Sequence, residues 1–257
     1  DDAFGDVLRQ RFETDGVDLS LIGRVAGVPT GSAFVSYNTD GSRDFVFNIA
    51  HSAASRFEGS DTVANALIAI GLDAFHVSGS SLGDAAMAEK LMTLCRKLRA
   101  GGVPLSFDPN VRKELLGDPG YRRTVDELLE LSSFILPSEE DTAVLFPGET
   151  FDSFAPRLIA GGAQVVALKR GADGARGLTR SGEAADLPAF AVPVVDPTGA
   201  GDCFCATLVT LLASEEFSFV DALRRANAAG ALAVGKVGPM EGNSTRAEID
   251  TFLKERH

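Results

Sequence analysis

Asp196-Pro197-Thr198-Gly199-Ala200-Gly201-Asp202 places a glycine-rich turn directly before an apolar, helix-like run from Cys203 to Ala213. Glycines let a backbone bring its N–H groups close to an anion, and the positive end of the following helix dipole favours the same charge. Asp202 is an ordinary helix-start residue by type, yet beside a phosphate it is also a base within reach of an attacking hydroxyl. A capped helix by itself needs neither the paired glycines nor the second acid at Asp196. The turn is not a P-loop, which ends in Lys-Ser/Thr where this chain has Cys203-Phe204. It is not the G-x-G-x-x-G fingerprint either, because Phe204 stands where the last glycine is required. An anion hole with an adjacent base remains, which suits phosphoryl transfer to an alcohol better than hydride transfer.

The elements that must position this turn follow from periodicity. After about position 60 the chain reads as alternating strand and helix. Strands are expected at Ala74–Val77, Val103–Phe107, Ser133–Leu136 and Gln164–Leu168. Helices are expected at Gly83–Arg99, Tyr121–Leu131, Ser153–Ala160 and Phe219–Val234. Such alternation calls for a parallel sheet with helices on both faces and ligands at the carboxyl ends of the strands. The segment Val17 to Asn48 differs in kind: β-like runs at Ser32–Asn38 and Arg43–Asn48 flank Thr39-Asp40-Gly41-Ser42, a hairpin signal. An antiparallel flap beside an α/β core could exclude water from the site.

At 257 residues and 45% hydrophobic content the chain can bury one large core, giving a single α/β domain with a small appendage. A net charge of −12 argues against nucleic acid and anionic membranes as partners but not against ATP, whose phosphates meet local donors. No apolar run approaches the ~20 residues of a membrane helix, and no signal peptide opens the chain. Cys95, Cys203 and Cys205 are too few for a disulfide framework and read as structural thiols, so a reducing cytoplasm is the expected compartment. His51, His76 and His257 form no zinc-ligand spacing.

The Asp196–Asp202 sequence resembles the D-[TP]-T-G-A-G-D signature of the ribokinase-like (PfkB) carbohydrate kinases. That resemblance implies a three-layer α/β/α core with a mostly parallel sheet and a small β-lid, residues 17–48, over a core of 1–16 and 49–257. It implies that Asp202 is the catalytic base and that the Gly199, Ala200 and Gly201 backbone forms the hole for the transferred phosphoryl group. Phe107-Asp108-Pro109-Asn110-Val111-Arg112 resembles the family's D-x-N-x-R element, with Arg112 reaching substrate oxygens and Asp108 or Asn110 holding it. Val165 to Gly171 with Asp173-Gly174-Ala175 is similar to the nucleotide-side strand and turn, which brings Lys169 and Gly171, with Thr198, to the ATP phosphates. Asn227 matches a residue near adenine.

Two departures accompany these matches. Relatives carry N-x-x-E where this chain has Ser138-Glu139-Glu140-Asp141; Glu140 or Asp141 could serve magnesium through water, and an acidic helix start is the other reading. A potassium-like ion near Asp196 is a further implication of the resemblance. Asp2-Ala3-Phe4-Gly5 resembles G-x-D-x-F-G, an element that normally follows a first βαβ unit of ~30 or more residues. The expectation is therefore that the family's N-terminal unit is missing, through fragmentation, processing or a mis-started gene.

Family kinases acting on 2-keto-3-deoxygluconate tend to have an Arg three residues before a Ser-Ala pair, and Ile49 stands there, ahead of Ser52-Ala53. Loss of that charge-assisted partner for an acidic sugar amounts to about 1.5–3 kcal/mol, roughly ten- to a hundredfold in binding. A neutral ketohexose fits better. The return from the lid and Pro239 to Thr245 are most similar to tagatose kinases, then fructokinases; His51 is a candidate contact for a sugar hydroxyl. ATP, Mg2+ and a lid-mediated homodimer complete what the resemblance implies. Two alternatives stay open: a 2-keto-3-deoxygluconate kinase or fructokinase, and a catalytically silent sugar- or nucleotide-binding protein.

Overall fold

The computed structural model describes residues 1–37, 43–111 and 115–256. The expected turn Thr39–Ser42, His257 and the candidate Arg112 lie outside the described residues. Helix α1 (Ala3–Thr14) opens the chain, followed by turns and then by β1 (Ser32–Tyr37) and β2 (Arg43–Asn48). These two strands form their own antiparallel sheet, with Phe34 opposite Val46. The strands of the expected lid are thus confined to 32–48, and residues 17–31 contain no strand.

After α2 (Asp61–Ile70), six strands build one sheet in sequence order. They are β3 (Phe75–Ser78), β4 (Leu105–Asp108), β5 (Phe134–Ile135), β6 (Val165–Lys169), β7 (Ala175–Thr179) and β8 (Ala184–Leu187). Strands β3 to β6 are parallel, joined by crossover helices α3 (Ala85–Ala100), α4 (Pro119–Leu131), and α5 (Glu139–Leu145) with α6 (Phe151–Gly161). Strands β7 and β8 add antiparallel. The last helices are α7 (Ala200–Ala213), α8 (Phe219–Ala233) and α9 (Arg246–Lys254).

Strand alternation divides the core between the two faces of this sheet. Along β6, Val166 and Leu168 pack with residues of α2, α3, α4 and α6, whereas Val165 and Ala167 pack with α7 and α8. Phe107, fully buried in the first of these cores, is a side chain whose truncation to alanine costs about 3–5 kcal/mol. On the same strand Ser106 and Asp108 face the other way, toward α7, so polar groups enter the α7 side of the sheet near its carboxyl edge.

Helix starts are specified by side-chain caps. Asp84 accepts the Met87 N–H at 2.8 Å for α3, Asp118 caps α4 ahead of Pro119, and Thr245 with Glu248 closes a capping box on α9. Among the described residues no helix is long and apolar enough to cross a membrane. Cys95 and Cys205 are buried free thiols, as expected, while Cys203 is partly exposed with its Sγ 3.2 Å from Asn243 Oδ1.

Candidate active site

The carboxyl ends of β4 and β6 meet the first turns of α7. Asp108 ends β4 and Lys169 ends β6; Lys169 Nζ donates to Asp108 Oδ2 at 2.5 Å. Cys205 of α7 lies under the pair, with Sγ 3.5 Å from both Lys169 Nζ and Asp108 Oδ2. A Cβ built on Gly201 would sit 3.6 Å from Lys169 Nζ, which places the ammonium against the N-terminal turn of α7. Between the two strands β5 ends at Ile135, and its chain keeps pairing with β6 as far as Ser138, the Pro137 carbonyl accepting the Lys169 N–H at 2.8 Å.

Desolvation penalises the Lys169 ammonium, yet the charge of the Asp108 carboxylate and the hydrogen bond to it hold the ammonium's pKa above the ordinary value. Burial pushes the Cys205 thiol up, leaving it a neutral group at neutral pH. Asp202 points to the same neighbourhood from a more open position. Desolvation raises its pKa, as does the charge of Asp108, while Lys169 and His76 pull it back down. A carboxylate shifted upward in this way is better matched to proton abstraction than an unperturbed one.

The turn into α7 is built for close approach. Gly199 has φ +83°, and a Cβ there would lie 2.4 Å from the Pro239 carbonyl oxygen, so both the dihedral and the space require glycine. Gly199 also makes no side-chain cap, unlike the Asp, Ser and Thr residues that start α3, α8 and α9. Positive helix-end charge and the Lys169 ammonium therefore face the same spot without a protein carboxylate capping the helix. Asp196 is buried; its Oδ1 accepts from the Thr198 N–H at 2.9 Å and hydroxyl at 2.7 Å, and its Oδ2 accepts from the Gly238 N–H at 3.0 Å.

A family described as pfkB family carbohydrate kinase matches residues 1–246. The chain belongs to the PfkB carbohydrate kinases. It is as such a phosphotransferase acting on sugar hydroxyls. It is 30% identical over 255 residues to the 2-dehydro-3-deoxygluconokinase of Bacillus subtilis (strain 168), covering 98% of this chain and 78% of that protein. It is also 30% identical over 260 residues to the fructokinase of Klebsiella pneumoniae, covering 98% of this chain and 83% of that protein. Among solved structures, the Escherichia coli protein named Ribokinase II, in complex with ATP and Mg2+, superposes with a TM-score of 0.90 at 38% identity. That match covers 100% of this chain and 81% of the other.

Within this PfkB chain the structure brings some of the sequence candidates together and leaves others apart. Asp108, Lys169, Gly201 and Asp202 come together, with Gly199, Ala200 and Thr198 in the adjoining turn. Asn110, at φ +36°, follows Asp108 on the loop leaving β4, and Pro109 packs so tightly that a Cβ on Gly79 would overlap its carbonyl. Gly171, at φ +53°, begins the turn after β6, and the buried Asn227 donates to the Pro188 carbonyl at 3.2 Å beyond β8. His51 is exposed after β2, and among the described residues no hydrogen bond or ion pair ties it to the Asp108–Lys169 group.

The acidic start of α5 has a structural use. Asp141 Oδ2 accepts from the Ser138 N–H at 2.8 Å and hydroxyl at 2.7 Å in a capping box, and Oδ1 accepts the Val111 N–H at 2.7 Å. Asp141 thus pins the loop leaving β4, while Glu140 is exposed. His76 and Cys205 were not among the sequence candidates, although both belong to the group. His76 shares a 2.9 Å contact with Ser106 and acts on the charge of Asp202. Only the register of β3 against β4, which sets His76 opposite Ser106, could have placed it there.

Proposed function

We propose that this PfkB sugar kinase transfers the γ-phosphoryl group of ATP to a primary hydroxyl of a neutral ketohexose, with D-tagatose as the acceptor. One observation carries the reading: the uncapped Gly199–Asp202 start of α7 lies against the Lys169 ammonium at the carboxyl ends of β4 and β6. Asp202 takes the proton of the acceptor hydroxyl. The acceptor oxygen bonds to the γ-phosphorus as the bridge to the β-phosphate breaks, and ADP leaves. Backbone N–H groups at Gly199, Ala200 and Gly201 stabilise the charge that develops on the transferred group, which is worth about 2.7–4 kcal/mol per donor in comparable holes. Lys169, Gly171, Thr198 and Asn227 serve the nucleotide side, and Asp108, Asn110, Arg112 and His51 the acceptor side.

Among the described residues no three His, Cys, Asp or Glu side chains gather as a metal site. Asp141 Oδ2 is filled by two hydrogen bonds and Oδ1 accepts one, so its remaining lone pair would reach magnesium at most through water. Magnesium would instead enter on the nucleotide phosphates, with exposed Glu140 reaching its water shell. A potassium-like ion at Asp196 would likewise compete with three hydrogen bonds on its carboxylate and has no part in the steps above.

The flap supports the proposed homodimer. Phe34 and Val46, paired across β1 and β2, are 64% and 66% exposed, and an isolated two-stranded sheet is marginal in water. A second copy covering this face would close the acceptor side against water.

A second reading, 2-keto-3-deoxygluconate as acceptor, is favoured by the identity to the Bacillus subtilis kinase of that name. Ile49 weighs against it, since its side chain lies against Gly31 at the base of the flap and offers no charge to a carboxylate. ADP release with Mg-ATP is measured against D-tagatose, D-fructose, D-ribose and 2-keto-3-deoxygluconate, with Asp202→Asn as the blank. Turnover highest with D-tagatose and lost in the variant supports the reading; a preference for the acidic sugar replaces it with the second. Ligand binding without turnover of any sugar would instead mark a silent binding protein.

A further inference from the structure

The Asp108–Lys169 pair is a costly arrangement for a sheet to contain. Its side chains are only 5% and 13% exposed, and among the described residues Asp108 Oδ1 is buried without a hydrogen-bond partner. Buried ion pairs are often no more stabilising than apolar residues of the same volume, and an unpartnered buried oxygen adds a further penalty. Stability alone does not account for the pair. Its placement does suggest a use, because β4 and β6 are not neighbours: the bond spans the end of β5, across two strand spacings of about 4.8 Å each.

On one side of this bridge, Asp108 leads directly into Pro109 and Asn110, the loop that Asp141 pins through Val111. On the other, Lys169 leads into the Gly171 turn and lies against Gly201, one residue before Asp202. Cys205, one helical turn further along α7, closes the triangle at 3.5 Å from each charge.

We propose that Asp108 and Lys169 are a pair of positioning residues that couple the acceptor loop after β4 to the nucleotide strand β6 and to the first turn of α7. This rests on the sugar-kinase reading of the same site. Movement of the acceptor loop on sugar binding is transmitted through the ion pair to the ammonium that faces the phosphate position, so each substrate binds better when the other is present. The charged and titratable groups that act on Asp202 are Asp108 on β4, Lys169 on β6 and His76 on β3, and Asp202 acts in turn on Cys203, its neighbour in α7. Of these, Asp108 is the neighbour whose negative charge opposes ionisation of Asp202.

The test uses the full chain, the wild-type protein, Lys169→Met, Lys169→Arg and Asp108→Asn, each checked for a cooperative melt. ADP affinity is measured by calorimetry with and without whichever sugar of the panel the wild type turns over. The wild type should gain roughly 5- to 150-fold from the sugar, the usual range of coupling between sites. Lys169→Met should lose that gain and Lys169→Arg should keep part of it; a gain of wild-type size in Lys169→Met overturns the proposal. In the second arm, Asp108→Asn should move the acid limb of the kcat/KM profile to lower pH. A limb that stays or moves up overturns the placement of the Asp108 charge beside the proposed base, while the ADP affinities decide the coupling. Carboxyl NMR of Asp202 in the wild type and Asp108→Asn reads the same downward shift without turnover. A wild type that turns over no sugar overturns the acceptor reading, and ADP affinity measured with each sugar of the panel present then decides the pair.

Discussion

Asp196 and Gly238 are joined by a 3.0 Å hydrogen bond that fastens the loop entering α7 to the loop leaving α8. The same carboxylate holds the Thr198 N–H and hydroxyl, so one buried acid organises both flanks of the glycine turn. Asp196→Ala leaves the N–H groups of Thr198 and Gly238 without this acceptor, at a cost of about 1–3 kcal/mol. A guanidinium titration should show a lower midpoint at unchanged slope. An unchanged midpoint would mean that water or other groups replace the carboxylate without loss.

Asp202→Asn should separate catalysis from stability. Loss of the proposed general base should lower kcat on the order of 10²- to 10⁴-fold. The stability change has the opposite sign. Because the folded-state pKa of Asp202 is raised, its contribution is nil below the unfolded value, where both states are protonated. Stability is then withdrawn as pH rises from the unfolded value through the folded one. The asparagine variant escapes that loss, so its Tm should exceed the wild type's at pH 7, and the gap should close toward pH ~4. A Tm below the wild type's at pH 7 would show that the carboxylate is held by favourable contacts instead.

The capping box at α5 makes Ser138 a measurable case. Ser138→Ala removes both the cap on the Asp141 N–H and a donor to its carboxylate, costing about 1 kcal/mol. Ser138→Asn should stay within a few tenths of a kcal/mol of the wild type, since asparagine caps equally well. Thermal melts of the two variants decide it; equal losses would deny the cap its importance.

Phe34 and Val46 offer a readout of assembly. If a second copy covers them, each contributes about 1.5–3 kcal/mol through burial, and Phe34→Lys should shift the sedimentation profile toward monomer. The same variant should raise the KM for the sugar more than that for ATP if the flap closes over the acceptor as proposed. A wild type that sediments as a monomer at all concentrations would remove the dimer.

The regular part of this fold was legible because its periods are strong. Val165 to Leu168 reads as a strand buried on both faces, and the structure buries alternate residues under different helices. Helix α1 escaped notice, its side chains contributing nothing to the buried core. Helix α9 had a readable signal, Thr245 followed three residues later by Glu248, as did the β7–β8 hairpin at Ser181-Gly182, where Gly182 has φ +87°. Within the site, Lys169 and Asp108 were each legible, as expected contacts for the nucleotide and for the sugar. Their contact with each other was not, because 61 residues separate them and β4 and β6 are not neighbours in the sheet.

The monotonic strand order has a consequence for synthesis. Each strand from β4 to β8 finds its neighbour already made, so a chain leaving the ribosome can extend one sheet edge stepwise while the crossover helices cover one face. The opposite face, with Phe134, Leu136, Val165 and Ala167, stays bare until α7 and α8 arrive. The helix that brings Asp202 is thus also the one that closes the core. A nascent chain stopped short of it lacks the proposed base and keeps that apolar face exposed, a surface prone to aggregation.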